Sequence, residues 1–307
     1  MGLRIRTNVQ SLFAQRHFGL SNQEVAKHME RLASGYRINK AADDAAGLAI
    51  SEQLKANLRS LGQARRNAND AVSLVQVAEG GLEEINDIMI RLRELSVQGA
   101  SDTIGMRERG YLNEEFMALK DEVDRIAIST EFNGTRLLTG NKELNEELLK
   151  EHNYSPLEIQ VGKDYFQGAD SLEVPNPINV LRMNLDNMNA TTDGEGSLDI
   201  GSSLNEDGTS VSTKAGAQTS IARLDSAMKA VASYRARLGA LQNRLQSTDR
   251  NLGIALENQG AARSRIKDAD FAAEAAELTQ SSILQQAGAS VLVQANQTAN
   301  IALKLLQ

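Results

Sequence analysis

All three prolines of this 307-residue chain, Pro156, Pro175 and Pro177, fall inside one 22-residue window. Residues 1–155 and 178–307 are proline-free. Proline removes a helical donor and clashes with the preceding turn, so its absence permits long helices on both sides of the window. Apolar residues use that freedom. From Leu48 to Gln98 they recur at Leu54, Leu58, Leu61, Ala68, Val72, Val75, Ala78, Leu82, Ile85, Met89 and Leu92. Steps of three and four averaging about 3.5 give the spacing of a coiled-coil or bundle helix. A second stripe runs through Leu112, Phe116, Leu119, Val123 and Ile126, and a third from Leu224 through Val231, Leu238 and Leu245 to Ala255. Gly80-Gly81 interrupts the first pattern, but no strand precedes it, as a nucleotide-binding loop requires.

The middle of the chain changes character. Leu157-Glu158-Ile159-Gln160-Val161-Gly162 alternates with period two and predicts a half-buried strand. Thr135–Gly140 predicts a weaker strand and turn. Residues 187–213, rich in Gly, Asp, Asn, Ser and Thr, predict either loops around a short strand at Ser197–Ile200 or partial disorder, with little burial. The expected fold class is mainly α: a long antiparallel bundle or coiled coil with small β-hairpins.

Composition removes whole function classes. A net charge of −7 argues against a general nucleic-acid binder. The absence of Cys excludes disulfides, thiolate metal sites and Cys nucleophiles. His17, His28 and His152 are too scattered to suggest a metal cluster; His17 and His28 share a helix face without an evident third ligand. Glu83-Glu84-Asp87 and Asp121-Glu122-Asp124 read as solvated helix faces rather than paired catalytic carboxylates. No cofactor, metal or catalytic residue is expected, and an enzyme reading finds no nucleophile–base set.

The two ends are related. Residues 1–42 carry seven Lys or Arg against two Glu, with Leu12, Phe13, Phe18, Leu20, Val25, Met29 and Leu32 spaced for a helix. Phe271–Leu306 is apolar around most of its circumference through Leu278, Ile283, Leu284, Val291, Leu292, Leu303, Leu305 and Leu306. Leu278–Leu303 holds no charged residue, yet 12 of its 26 residues are Gln, Asn, Ser or Thr, so it does not read as a membrane span. Ordering about 35 residues costs several tens of kcal/mol at roughly 1–2 each. Burying a Leu or Ile returns roughly 1.5–3 kcal/mol. Such a helix orders only against partners: the N-terminal helix first, then further copies of the chain.

Four motifs now carry a specific resemblance. Asn39-Lys40-Ala41-Ala42-Asp43-Asp44-Ala45-Ala46-Gly47-Leu48-Ala49-Ile50-Ser51 and the preceding Leu32-Ala33-Ser34-Gly35-Tyr36-Arg37-Ile38 resemble the N-terminal signature of bacterial flagellins. Phe132-Asn133-Gly134-Thr135-Arg136-Leu137-Leu138 resembles the family's FNG element. Ser264–Ala272, continuing to Leu284-Gln285-Gln286-Ala287-Gly288 and Gln294-Ala295-Asn296-Gln297, resembles its C-terminal region. The resemblance implies a short flagellin without large outer domains. Residues 1–44 and 268–307 would pair as an inner domain, 45–180 and 214–267 would form an outer helical domain, and 181–213 would be a short variable surface segment. It implies a subunit that polymerises with itself into the flagellar filament, with Leu12, Phe13, Leu278, Leu284, Leu292, Leu303 and Leu306 in the inner contacts. It implies secretion through the flagellar export apparatus with an export chaperone, without signal cleavage, to an extracellular or periplasmic filament. Hook-associated and cap proteins would be further partners. Arg91, Leu95 and Glu115 match the positions at which similar flagellins contact the flagellin-sensing Toll-like receptor of animal hosts. The hook–filament junction protein of the same apparatus is the alternative, since its termini are similar. No nucleic-acid partner or membrane insertion is implied.

Overall fold

A computed structural model of the chain describes residues 8–140, 156–164, 179–190, 198–201 and 208–304, with side chains described through residue 297. Its elements are α1 (Val9–Ser34), α2 (Ala45–Gly99), α3 (Met106–Ser129), β1 (Glu131–Phe132), β2 (Thr135–Arg136), β3 (Leu157–Gln160), β4 (Val180–Met183), α4 (Lys214–Lys267) and α5 (Phe271–Lys304). The three apolar stripes lie on α2, α3 and α4. The chain divides into two compact units, Met1–Leu58 with Glu257–Gln307, and Arg59–Leu256, so both divisions fall inside helices rather than in loops.

In the unit of residues 59–256, each helix turns one stripe inward. Leu82, Ile85, Met89 and Leu92 of α2 join Phe116, Val123 and Ala127 of α3 and Leu224, Val231, Tyr234, Leu238 and Leu245 of α4 in one core. Gly80 and Gly81 do not interrupt α2; the helix runs through them. Core burial on both sides outweighs a helix-interior glycine cost of about 1 kcal/mol each. Gly81 has a packing reason as well. A Cβ there would lie 2.6 Å from the Thr130 hydroxyl and 3.0 Å from Leu138 Cδ1, whereas one at Gly80 would meet open space.

The Phe132–Leu138 motif forms a tight hairpin. Phe132 pairs with Thr135 and Glu131 with Arg136. Asn133 and Gly134 between them both have positive φ, 51° and 79°. A two-residue turn of this hand suits Asn-Gly because Asn tolerates and Gly freely adopts that region. β3 and β4 pair antiparallel, Leu157 against Met183 and Gln160 against Val180.

Two expectations for residues 187–213 are corrected. Ser197–Ile200 is not a strand: Ser197 is outside the described residues, Asp199 has φ of 52°, and Leu198–Ile200 join no sheet. Burial is not slight either. Met188, Ala190, Leu198, Ile200 and Val211 all enter the core. The loop is held by the backbone N–H of Ala190 donating to Asp124 Oδ1 at 2.7 Å and that of Val211 donating to Asn113 Oδ1 at 3.0 Å. Asp124 is therefore an anchor, whereas Glu83, Glu84 and Asp87 are exposed as expected. Lys120, fully buried, donates to the Thr209 carbonyl at 3.0 Å, with its ammonium 5.9 Å from the Phe116 ring.

Candidate functional site: the paired terminal helices

The unit of residues 1–58 and 257–307 is built around α1 and α5. Local chemistry fixes its ends. Asn8 caps α1 by accepting from the Ser11 N–H at 3.1 Å, and Gly35 closes it in the left-handed conformation. The signature motif caps α2: Asp44 Oδ1 accepts from the Gly47 N–H at 2.8 Å, and Asp43 accepts from the Asn39 and Lys40 N–H groups. A Cβ at Gly47 would lie 2.4 Å from Asp44 Oδ2 and 2.8 Å from Ile38 Cδ1, so the cap requires glycine there. The turn before the motif is tied to the end of α4. The Arg37 N–H donates to the Lys267 carbonyl and its guanidinium to the Ile266 carbonyl, both at 2.7 Å.

The α1–α5 seam is small and polar. Ala14, Val25 and His28 of α1 and Glu274 and Ala295 of α5 are its buried members. Phe18 packs beside Gly288 of α5, where a Cβ would stand 3.6 Å from the ring, an ordinary van der Waals distance. The polar residues that argued against a membrane span serve as cross-links. Asn8 Nδ2 donates to the Ala295 carbonyl at 2.9 Å, Ser11 Oγ donates to Asn296 Oδ1 at 2.8 Å, and Gln285 donates to Asn22. Among the described residues, no helix is long and apolar enough to cross a membrane.

Because small and polar groups fill the seam, the large apolar side chains face outward. Leu12 is 58% exposed, Phe13 61% and Leu284 54%, and Val9, Leu20, Ile283, Val291 and Val293 are also exposed. Phe13, Val9, Leu284 and Val291 line an open groove of about 980 Å³ along the helix pair. His17 belongs to this surface, its ring centroid 4.3 Å from that of Phe13. Leu278 and Leu292 are half-buried. Leu303 lies within α5 but its side chain is outside the described set, as is the whole of Leu306.

His28 is a residue whose setting sequence reasoning missed. Its Nδ1 lies 2.6 Å from Glu274 Oε1 and 3.6 Å from Glu277 Oε2, and its Nε2 lies 3.8 Å from Glu24 Oε2. Helical spacing reveals Glu24, four residues away; nothing local reveals Glu274, 246 residues away.

In the other unit, Arg91 and Glu115 form an exposed pair, with the guanidinium Nη2 2.7 Å from Glu115 Oε1 and Nη1 3.1 Å from Glu94. Leu95, the third residue of that set, is only 1% exposed and belongs to the core, so the surface of this face is carried by Arg91 and Glu115.

Comparison with known proteins accounts for both units. The model of the bacterial flagellin N-terminal helical region matches residues 5–143, and that of the C-terminal helical region matches residues 221–306. The chain is 39% identical to a flagellin of Halalkalibacterium halodurans, over 99% of each chain. It is 38% identical to flagellin FlaB1 of Treponema pallidum and to the flagellar filament 33 kDa core protein of Treponema phagedenis, again over 99% of each. A solved structure of a hook-associated protein from Vibrio parahaemolyticus covers 74% of this chain and 100% of its own with TM-score 0.54; at 17% identity that likeness is one of fold. The sequence relatives are flagellins and a filament core protein, which favours the filament over the hook–filament junction. Two family regions in order and near full-length identity to flagellins establish that the chain belongs to the bacterial flagellin family, whose members are structural proteins of the flagellar filament.

Proposed function

We propose that the outward apolar surface of the α1–α5 pair is the polymerisation element of this filament subunit. The observation that carries the reading is the inversion of ordinary packing: a small, polar seam inside and Leu12, Phe13, Leu284 and Val291 outside. A contiguous exposed apolar surface on a soluble chain marks an interaction site. Partners with the same surface supply its complement, so copies stack with the groove of one closed by the apolar ridge of another. Leu278 and Leu292 widen the contact, and Leu303 and Leu306 extend it toward the C-terminus. Residues 1–44 with 268–307 then act as the inner domain, 45–180 with 214–267 as the outer one, and part of 181–213 as the outer surface.

Family membership supports the remaining parts of the reading. The subunit is secreted unfolded through the flagellar export apparatus, escorted by an export chaperone, and added beneath the cap above the hook-associated proteins. The exposed Arg91–Glu115 pair is a lateral contact between outer domains, and the same exposed groups are those available to a host flagellin receptor.

The test is salt-induced polymerisation of the purified chain, followed by electron microscopy. Parent protein forms long filaments. A Leu284→Asp variant, which places a carboxylate in a dry interface at a cost of several kcal/mol, stays in the supernatant. Filament formation by the variant at the parent's critical concentration would refute the assignment.

A further inference from the structure

We propose that His28, Glu274 and Glu277 bind one divalent transition-metal ion of the zinc type, which fastens α5 to α1. The three residues offer one ligand atom each, all within 4.8 Å of one another. Ligands held about 2.0–2.2 Å from a tetrahedral zinc stand roughly 3.3–3.5 Å apart. His28 Nδ1 is already 2.6 Å from Glu274 Oε1 and 3.6 Å from Glu277 Oε2, so adjustments of about an ångström at flexible carboxylates complete the set. Glu274 and Glu277, three apart, share one face of α5, and His28 comes from the facing helix. Glu277 is 61% exposed, which leaves room for a water as fourth ligand.

The surrounding charge fits a cation. Glu24 Oε2 stands 3.8 Å from His28 Nε2, on the far side of the ring. That separation is beyond a hydrogen bond, so Glu24 adds negative charge beside the ring without fixing its orientation. Glu24, Glu274 and Glu277 surround His28, and among the described residues the Lys or Arg within 4 Å of these carboxylates is Arg31, its Nη1 3.5 Å from Glu274 Oε1. Three carboxylates against one guanidinium leave two negative charges uncompensated. A divalent ion cancels both. The 3.5 Å Arg31 contact is long enough to leave the Glu274 oxygen available. The site lies within one chain and does not depend on the polymerisation reading.

The experiment uses the metal-stripped full-length monomer, titrated with zinc chloride by equilibrium dialysis, together with hydrogen exchange. The parent binds one zinc per chain, and zinc slows exchange in residues 22–32 and 271–280. His28→Ala and Glu277→Gln each weaken binding at least about tenfold. Glu277 is exposed, so its variant folds as the parent does and keeps the test decisive. Absence of zinc binding by the parent, or parent-like affinity in either the His28 or the Glu277 variant, would overturn the site.

Discussion

Truncating Phe13 and Leu284 to alanine separates assembly from folding, because both side chains are largely exposed in the single chain. Phe13 exposes 61% of itself, or about 120 Å² of a side chain that buries roughly 200 Å² when covered. At about 25 cal/mol per Å² its closure by a neighbouring subunit contributes about 3 kcal/mol. Leu284, 54% exposed, contributes about 1 kcal/mol, roughly half of what full burial of a leucine gives. Every 1.4 kcal/mol is a tenfold change in an equilibrium constant. Leu284→Ala therefore raises the critical concentration of polymerisation about fivefold to tenfold, Phe13→Ala about 100-fold, and the pair about 1,000-fold. Neither truncation removes core packing, so monomer stability moves by no more than about 0.5 kcal/mol. The assay is sedimentation across a protein dilution series in polymerising salt, with denaturant unfolding of the monomers alongside. An unchanged critical concentration in the double variant would refute the reasoning. So would a loss of monomer stability as large as the loss of assembly, because the residues would then serve the chain's own fold.

Three shorter predictions concern the fold. Residues 59–256 hold a complete core, so that fragment remains helical and monomeric and melts in one cooperative transition by circular dichroism; a largely unstructured fragment would contradict this. Gly80→Ala stabilises the chain by about 0.5–1 kcal/mol through helix propensity, while Gly81→Ala, whose Cβ meets Thr130 and Leu138, destabilises it by about 1–3 kcal/mol; denaturant titration distinguishes the opposite signs. Burial pushes the Lys120 ammonium down to about 8, opposed by Asp121 and Asp124 and reinforced by Arg223. The unfolded chain then binds more protons than the native one between about pH 8 and the ordinary lysine value. Relative to Lys120→Met, the parent gains up to about 1.4 kcal/mol of stability per pH unit as pH rises through that window. A pH-independent difference between the two proteins would show that Lys120 titrates normally.

The helices were legible because proline is missing and apolar steps average near 3.5 residues over stretches long enough to outweigh local noise. The hairpin at Asn133-Gly134 was legible because its backbone conformation admits few residues. Burial within residues 187–213 was not. Met188, Leu198, Ile200 and Val211 reach the core from irregular backbone, singly, with no period to betray them. Gly80-Gly81 misled because propensity is weak beside the burial of Ala78, Leu82 and Ile85. At the site, the apolar character of the two ends was visible, and so was the need for a partner. Which residues would turn inward was not: the seam uses Ala14, Val25, Asn8, Ser11 and Gln285, and it leaves the large side chains outside. The receptor-matched set shows the same limit, since Leu95 lies on the apolar stripe of α2 and joins the core while Arg91 and Glu115 remain exposed. The His28 cluster depends on a contact across nearly the whole chain, which no local pattern encodes.

Assembly rests on the apolar face of the α1–α5 pair closing against other copies. Helical reconstruction of the polymerised chain by electron cryomicroscopy tests it most directly. In the expected filaments α1 and α5 line the innermost layer, and Phe13 and Leu284 of each subunit are buried by a neighbour. Filaments in which those side chains face solvent, with contacts made only by residues 59–256, would contradict it.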